Sequence, residues 1–392
     1  MTTNAAVIGQ NQEGLIQNYG KLPVALVRGQ GSKLWDADGK EYVDFFAGFG
    51  GTILGHCQPD LVAAVQGQAE KLWAVGNQFY SAPQARLAEQ LRKHAFAGQA
   101  FFCHSGAEAN EAAIKLARLT AGPGKFKIIS CYNGFHGRTL GALSATATAE
   151  YQRGFGPMTP GFAYVPYNDL ASLEAALDEQ TAGFIVEPIQ GEGGVNMPSA
   201  EYFQGVRKLC DARKVALIFD EVWTGVGRTG KAFGHQYFGV TPDIMSMGKA
   251  LGGGMPVGGI LAVAERAKGF VPGTHGCTLG GNPICAAVAA AVWDVIDRDG
   301  LCARAAALGE KMAAAVKGFK SGKIKEVRGK GLFIGIELAV ADATPVVKAA
   351  LERGLILNVT HKCVVRLCPA INIDDASVNR GLEMLESALK TV

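Results

Sequence analysis

Short apolar runs without polar alternation recur along this chain and limit its fold more than any other feature. They are Phe126 to Cys131, Gly183 to Val186, Val215 to Phe219, Ile244 to Met247 and Gly259 to Val263. A strand with one solvated face alternates polar with apolar residues. A strand buried on both faces is apolar throughout. Helical patterns such as Tyr202 to Arg213 separate the runs. Strand and helix in alternation predict an α/β fold with a mostly parallel sheet between helices.

Around this centre, residues 32 to 47 predict a hairpin turning at Asp38-Gly39. Ala286 to Lys317 predicts one long helical stretch after the Gly280-Gly281-Asn282-Pro283 turn. Glu326 to Ala339 and Gly354 to Leu367 predict strands of a smaller α+β region. We therefore expect residues 1–50 to pack with the small domain, 51–285 to form a large ligand-binding domain, and 286–392 to form the small C-terminal domain.

Composition excludes several classes. With 392 residues, 48% hydrophobic and 19% charged, the chain has the make-up of a folded globular protein. Its net charge of +3 points to neither nucleic acid nor an acidic membrane surface. It has no apolar run of about 18 residues, the length a spanning helix needs. The first residues lack a basic region followed by an apolar stretch, so the expected location is the cytoplasm. Nine cysteines are scattered with no CxxC pair, so no metal is expected.

Glycine is in excess, at 52 residues, and several glycines flank polar groups that follow predicted strands or precede predicted helices. Ligands of parallel-sheet folds bind at those strand ends. Ser105-Gly106-Ala107-Glu108-Ala109-Asn110 opens a helix, and free amides with the helix dipole suit an anion such as phosphate; a plain cap by Ser105 is the alternative. Gly134-Phe135-His136-Gly137-Arg138-Thr139 offers an aromatic for stacking and a cation for a carboxylate. Asp220-Glu221 closes an apolar strand, where a carboxylate needs a partner, a metal or a cap. Lys249 lies between an apolar strand and Gly252-Gly253-Gly254, a setting that makes lysine a Schiff-base nucleophile. Thr278 stands in the glycine-rich turn from His275 to Pro283. Gly225 to Lys231 matches the phosphate-loop spacing, but Ala232 follows where a Ser or Thr should hold magnesium. A nucleotide-binding protein is therefore the rejected rival.

In this order and spacing the segments resemble the class III aminotransferases of fold type I, from about Tyr19 to the C-terminus. The phrases that carry the likeness include SGAEANEAAIKLAR, GFHGRTLGALSAT, EPIQGEGG, DEVWTG, KALGGGMPVGG, GGNP and NVTHKCVVRL. The nearest subgroup is the acetylornithine/succinylornithine aminotransferases. The resemblance implies pyridoxal 5'-phosphate, a large domain with a seven-stranded sheet, and a homodimer with shared active sites. It implies Lys249 as the Schiff-base lysine and proton shuttle, and Asp220 as the partner of the pyridine nitrogen. Phe135 and Val222 would flank the ring, Gly106 and Ala107 would hold the phosphate, and Thr278 would reach the partner subunit's phosphate. Arg138 and Arg366 would hold substrate carboxylates, with Glu192 masking one of them. Trp223 stands where the family usually has a cofactor-contacting Gln. Cys277 replaces a common Ser before the phosphate threonine, at a position the resemblance implies is substrate-binding. Pro369-Ala370 stands where Pro-Pro is usual. The implied reaction moves the terminal amino group of N-acetylornithine to 2-oxoglutarate, in arginine biosynthesis. Ornithine, 4-aminobutyrate and succinyldiaminopimelate are the alternative donors.

Overall fold

The computed structural model describes residues 3–391. In chain order its strands are β1 (Leu26–Gln30), β2 (Lys33–Asp36), β3 (Glu41–Asp44), β4 (Gln99–Cys103), β5 (Lys127–Cys131), β6 (Phe162–Val165), β7 (Thr181–Val186), β8 (Ala216–Asp220), β9 (Ile244–Met247), β10 (Gly258–Ala262), β11 (Ile324–Lys330), β12 (Phe333–Leu338), β13 (Leu355–Ile356), β14 (Asn358–Thr360) and β15 (Val364–Leu367). Seven of them form the central sheet in the order β4-β10-β9-β8-β7-β5-β6. Only β10 runs antiparallel to its neighbours β4 and β9.

Both faces of this sheet are covered, which explains the unbroken apolar runs. Ile128, Ile185, Ile218, Ile244 and Ile260 point to one face, against Ala109, Ala112, Ala113, Leu116 and Ala117 of the helix Gly106–Thr120. Their neighbours Ile129, Phe184, Leu217 and Phe219 point to the other, against Phe203, Val206 and Cys210 of the helix Tyr202–Arg213. Adjacent strand residues face opposite ways, so both sets must be apolar. Each such side chain, fully buried, contributes about 1.5–3 kcal/mol. The alanines let the first helix lie close to the strands, bringing its N-terminus to the edge of the site.

The hairpin of β2 and β3 turns at Asp38-Gly39, with Gly39 at φ 88°. It pairs with the chain's far end through β13, which runs parallel to β3. A third sheet, β11-β12-β15-β14, carries the C-terminal region. In its interior strand β15, Arg366 lies opposite Gly335 of β12 and Asn358 of β14.

The structure corrects the sequence reading in three places. The expected single helix over 286–317 is two helices, Pro283–Arg298 and Leu301–Lys317, broken at Gly300 with φ 59°. A left-handed residue cannot continue a helix, and glycine adopts it without strain. β4 and β6 gave no recognisable apolar run, because β4 begins with exposed Gln99 and β6 is only partly buried at the sheet edge. The helices Thr344–Glu352 and Asp375–Leu389 were not anticipated. The helix Pro283–Arg298 packs on the helices Pro59–Ala69 and Ala82–His94, so its contacts lie with the N-terminal part of the chain. No helix among the described residues is long and apolar enough to cross a membrane.

Candidate active site

Four strand ends and one helix start meet at the carboxyl edge of the central sheet. Asp220 is the last residue of β8 and is 2% exposed. Its Oδ2 accepts from Asn110 Nδ2 at 2.7 Å and lies 2.8 Å from His136 Nδ1. Its Oδ1 accepts from the backbone N–H of Val222 at 3.0 Å. Asn110 is held in turn by Ser246 of β9, whose hydroxyl donates to Asn110 Oδ1 at 2.6 Å. The carboxylate is thus fixed by groups from three elements, and its orientation is set before any ligand arrives. Glu221 faces elsewhere: it accepts from the N–H groups of Gly234 and His235 at 2.8 and 2.7 Å and pins that turn.

Lys249 follows β9 after a single glycine. A glycine at 248 allows close approach to the helix start, since a Cβ there would lie 3.0 Å from Gly106 N. Lys249 itself adopts φ 41°, a strained conformation for a side chain of its size. Burial lowers its ammonium pKa to about 8, against the opposing pull of Glu192, Asp220 and Glu187. A lysine titrating there holds about a tenth of its amine neutral at pH 7, far more than an ordinary lysine, and is a competent nucleophile.

The helix start lies against the same residues. Helical geometry leaves the first-turn amides of Gly106 and Ala107 without partners in the helix. A Cβ on Gly106 would sit 2.8 Å from Val222 Cγ1. Phe135 is half-buried on the loop after β5, its backbone N–H donating to Glu187 Oε1 at 3.0 Å. Arg138 is exposed, with its guanidinium carbon 3.9 Å from the centre of the Tyr151 ring. Phe135, Tyr151 and Glu192 help to line a cavity of about 420 Å³. Thr278 is exposed, and Cys277 beside it is partly buried.

A second set of residues bridges the central sheet and the C-terminal sheet. Arg366 on β15 is fully buried, and its Nη1 donates to Glu192 Oε1 at 3.0 Å. Its Nη2 donates to Asn358 Oδ1 at 2.6 Å. Trp223 Nε1 donates to the same Glu192 oxygen at 3.2 Å, and Thr360 Oγ1 donates to the Glu192 carbonyl at 2.5 Å. Burial raises the Glu192 pKa, but Arg366 and Lys249 draw it below the ordinary carboxylate range. Trp223 stacks on Phe333 at 5.1 Å, with Lys249 Nζ and Arg366 Cζ each 4.3 Å from its ring centroid. The indole fits only because two glycines give it room. A Cβ on Gly50 or on Gly191 would each come within 2.6 Å of the ring.

Sequence reasoning missed three contributors. Asn110 and His136 stood inside quoted segments without a role. Glu187 directly follows β7, much as Asp220 closes β8, and that parallel was the available signal. Its carboxylate accepts from Phe135 N–H and from Gly191 N–H at 2.9 Å, joining two site loops. Burial and the nearby Asp220 raise its pKa to about 7. The phosphate-loop look-alike is closed off: Arg228 and Thr229 are buried, and Arg228 donates to the Leu332 carbonyl at 3.1 Å. Only a short 3-10 turn, Gly234–Tyr237, comes after it.

Comparison with known proteins agrees with this geometry. The family model for aminotransferase class III matches residues 16–389. An acetylornithine aminotransferase of Caldanaerobacter subterraneus is 42% identical over 98% of this chain and 100% of its own length. An ornithine aminotransferase of Toxoplasma gondii superposes with a TM-score of 0.96 at 34% identity, covering 100% of this chain and 96% of that one. An acetylornithine aminotransferase of Elizabethkingia anophelis superposes with a TM-score of 0.89 at 33% identity, covering 100% of both chains. The chain belongs to the class III aminotransferases, pyridoxal-phosphate-dependent enzymes that pass an amino group from a small-molecule donor to a keto acid.

Proposed function

We propose that this enzyme transfers the terminal amino group of N-acetylornithine to 2-oxoglutarate, giving N-acetylglutamate semialdehyde and glutamate. The observation that carries this reading is the closed Glu192–Arg366 pair next to Lys249, with Arg138 exposed at the mouth. The name of the Caldanaerobacter relative supports the choice of acyl group.

The site residues fit the family's cofactor. Gly106 and Ala107 offer unbonded amides to its phosphate, at a helix end whose dipole favours an anion. Asp220 offers a fixed, buried carboxylate to the ring nitrogen, and Phe135 and Val222 offer the two flanking surfaces. When bound, pyridoxal phosphate supplies an electron-withdrawing ring for the carbon that loses its proton. Lys249 would hold the cofactor through its amine, and as a free amine its Nζ would carry a proton between neighbouring substrate and cofactor carbons.

Arg138 binds the carboxylate distant from the reacting carbon in either substrate. N-acetylornithine has one carboxylate, so Glu192 stays on Arg366 and covers a buried cation. 2-Oxoglutarate brings a second carboxylate beside its reacting carbon. This one displaces Glu192 and takes Arg366 as its partner. Leaving Arg366 unpaired in either half would be costly, on the order of a few kcal/mol. Two copies of the chain complete the site. Thr278 lies on a turn tied to residue 77, where Asn77 Nδ2 donates to the Cys277 and Gly280 carbonyls at 3.0 Å each. Exposed Leu72, Trp73, Phe79, Tyr80 and Leu279 make that surface apolar, as a permanent interface requires. A panel of amino donors with 2-oxoglutarate tests the assignment. Highest kcat/KM for N-acetylornithine supports it, and preference for unacylated ornithine or 4-aminobutyrate overturns it.

A further inference from the structure

Cys277 departs from the serine that the resemblance leads one to expect, and the structure shows what the thiol faces. Its Sγ lies 3.4 Å from His104 Nδ1 and 3.9 Å from Glu108 Oε1, and these two atoms are 3.1 Å apart. They come from two places in the chain: His104 and Glu108, four residues apart where β4 passes into the helix Gly106–Thr120, and Cys277 in the turn before Pro283. Together they are the one group of three or more potential metal ligands found among the described residues.

We propose that His104, Glu108 and Cys277 form a binding site for a thiolate-accepting divalent cation of the zinc class. Zinc bonds of about 2.0–2.3 Å in tetrahedral geometry place ligand atoms about 3.3–3.6 Å apart. The three observed separations bracket that range, so small side-chain rotations close the site. Each ligand is already positioned. Glu108 uses its other oxygen, Oε2, to accept from the His104 N–H at 3.1 Å and the Ser105 hydroxyl at 2.9 Å, leaving Oε1 turned toward the other two groups. Asn77 holds the Cys277 carbonyl, fixing the backbone from which the thiol projects. In the single chain the His104 and Glu108 side chains are each 38% exposed, and the fourth ligand is left to a water or to the partner subunit.

A thiol is a weak hydrogen-bond partner but, once deprotonated, a strong zinc ligand. On binding, Cys277 releases its proton to solvent. The Nδ1 proton that His104 shares with Glu108 Oε1 moves to Nε2 (or, from the doubly protonated ring, to solvent), and Nδ1 and Oε1 exchange their mutual contact for the metal. No bond other than these changes. The bound cation ties the turn at Cys277 to the N-terminus of the helix.

The test uses the holoenzyme, stripped of metal with a chelator and titrated with zinc or cobalt(II). One zinc per chain is expected, with a thiolate-to-cobalt charge-transfer band. Cys277→Ser should abolish the band, and His104→Ala should weaken zinc binding by at least about tenfold. Zinc should also slow iodoacetamide alkylation of Cys277, followed by peptide mapping, by at least about tenfold. Absence of stoichiometric zinc in the unmutated enzyme overturns the proposal. So does binding that persists unchanged in Cys277→Ser and His104→Ala, which would assign the metal to other residues.

Discussion

The floor of the active site and its gate are built differently. The floor consists of Asp220, Asn110, His136, Ser246 and Lys249, gathered at the carboxyl edge of one sheet from its strands and from the helix and loops that follow them. Asp220 accepts hydrogen bonds on both oxygens and is almost fully buried, so nothing there can move without breaking several bonds at once. The gate consists of Glu192, Trp223, Thr360 and Arg366, drawn from two sheets, and Glu192 is still partly exposed. A floor made within one sheet suits chemistry common to both half-reactions. A gate made between sheets suits a contact that forms in one half-reaction and opens in the other.

The largest effects are expected at the floor. On the proposed roles, Lys249→Ala would remove both the attachment point and the proton shuttle, and should lower turnover at saturating cofactor by at least about a thousandfold in both halves. Borohydride trapping followed by peptide mapping should label Lys249, and a label on another lysine contradicts the assignment. Asp220→Asn keeps the shape and removes the charge. Loss of a charged hydrogen bond worth about 1.5–3 kcal/mol corresponds to a rate loss of about ten- to a hundredfold. Near-normal turnover with cofactor saturated would remove Asp220 from its role.

The pH dependence follows from the depressed lysine. Below about 8 the Lys249 amine of the cofactor-free enzyme is mostly protonated, and only the neutral form attacks an aldehyde. Recombination with pyridoxal phosphate should therefore slow on acidification, approaching about tenfold per pH unit well below that point, and level off above it. A profile still rising steeply above pH 10 would mean that Lys249 keeps an ordinary lysine environment.

Much of the floor is legible in the sequence, and the gate is less so. Asp220 and Lys249 each follow an apolar run, so a strand end and a polar group coincide within a few residues. The expectation for Asp220 needed only the rule that a buried carboxylate seeks a partner. Trp223 shows the limit of such reading. Its position in the resemblance is that of a cofactor-contacting Gln, and nothing in the local pattern announces that its indole N–H donates to Glu192 or that its ring stacks on Phe333, 110 positions away in the chain. Local pattern cannot carry a contact between two sheets. The room for the indole came from Gly50 and Gly191, and those vacancies became visible only once the chain was folded. Gly300 failed for a different reason. Alanine-rich helical periodicity continues on both sides of it, and one left-handed residue outweighs that pattern.

The smallest expected effect separates packing from hydrogen bonding at the gate. Trp223→Phe keeps an aromatic ring against Phe333 but removes the N–H that Glu192 accepts. Because Arg366 still holds the same oxygen, the loss lies at the low end for a bond to a charged group, about 1.5 kcal/mol, or roughly a tenfold loss of discrimination against α-amino donors such as glutamate. Unchanged discrimination would make Trp223 a packing residue only.

The central claim is that Arg366 serves one half-reaction and is covered in the other. Single-turnover kinetics of Arg366→Ala, run separately with N-acetylornithine and with 2-oxoglutarate, test it most directly. The predicted result is a loss of about ten- to a hundredfold in the 2-oxoglutarate half, with a markedly smaller change in the N-acetylornithine half. Equal losses in the two halves would contradict it.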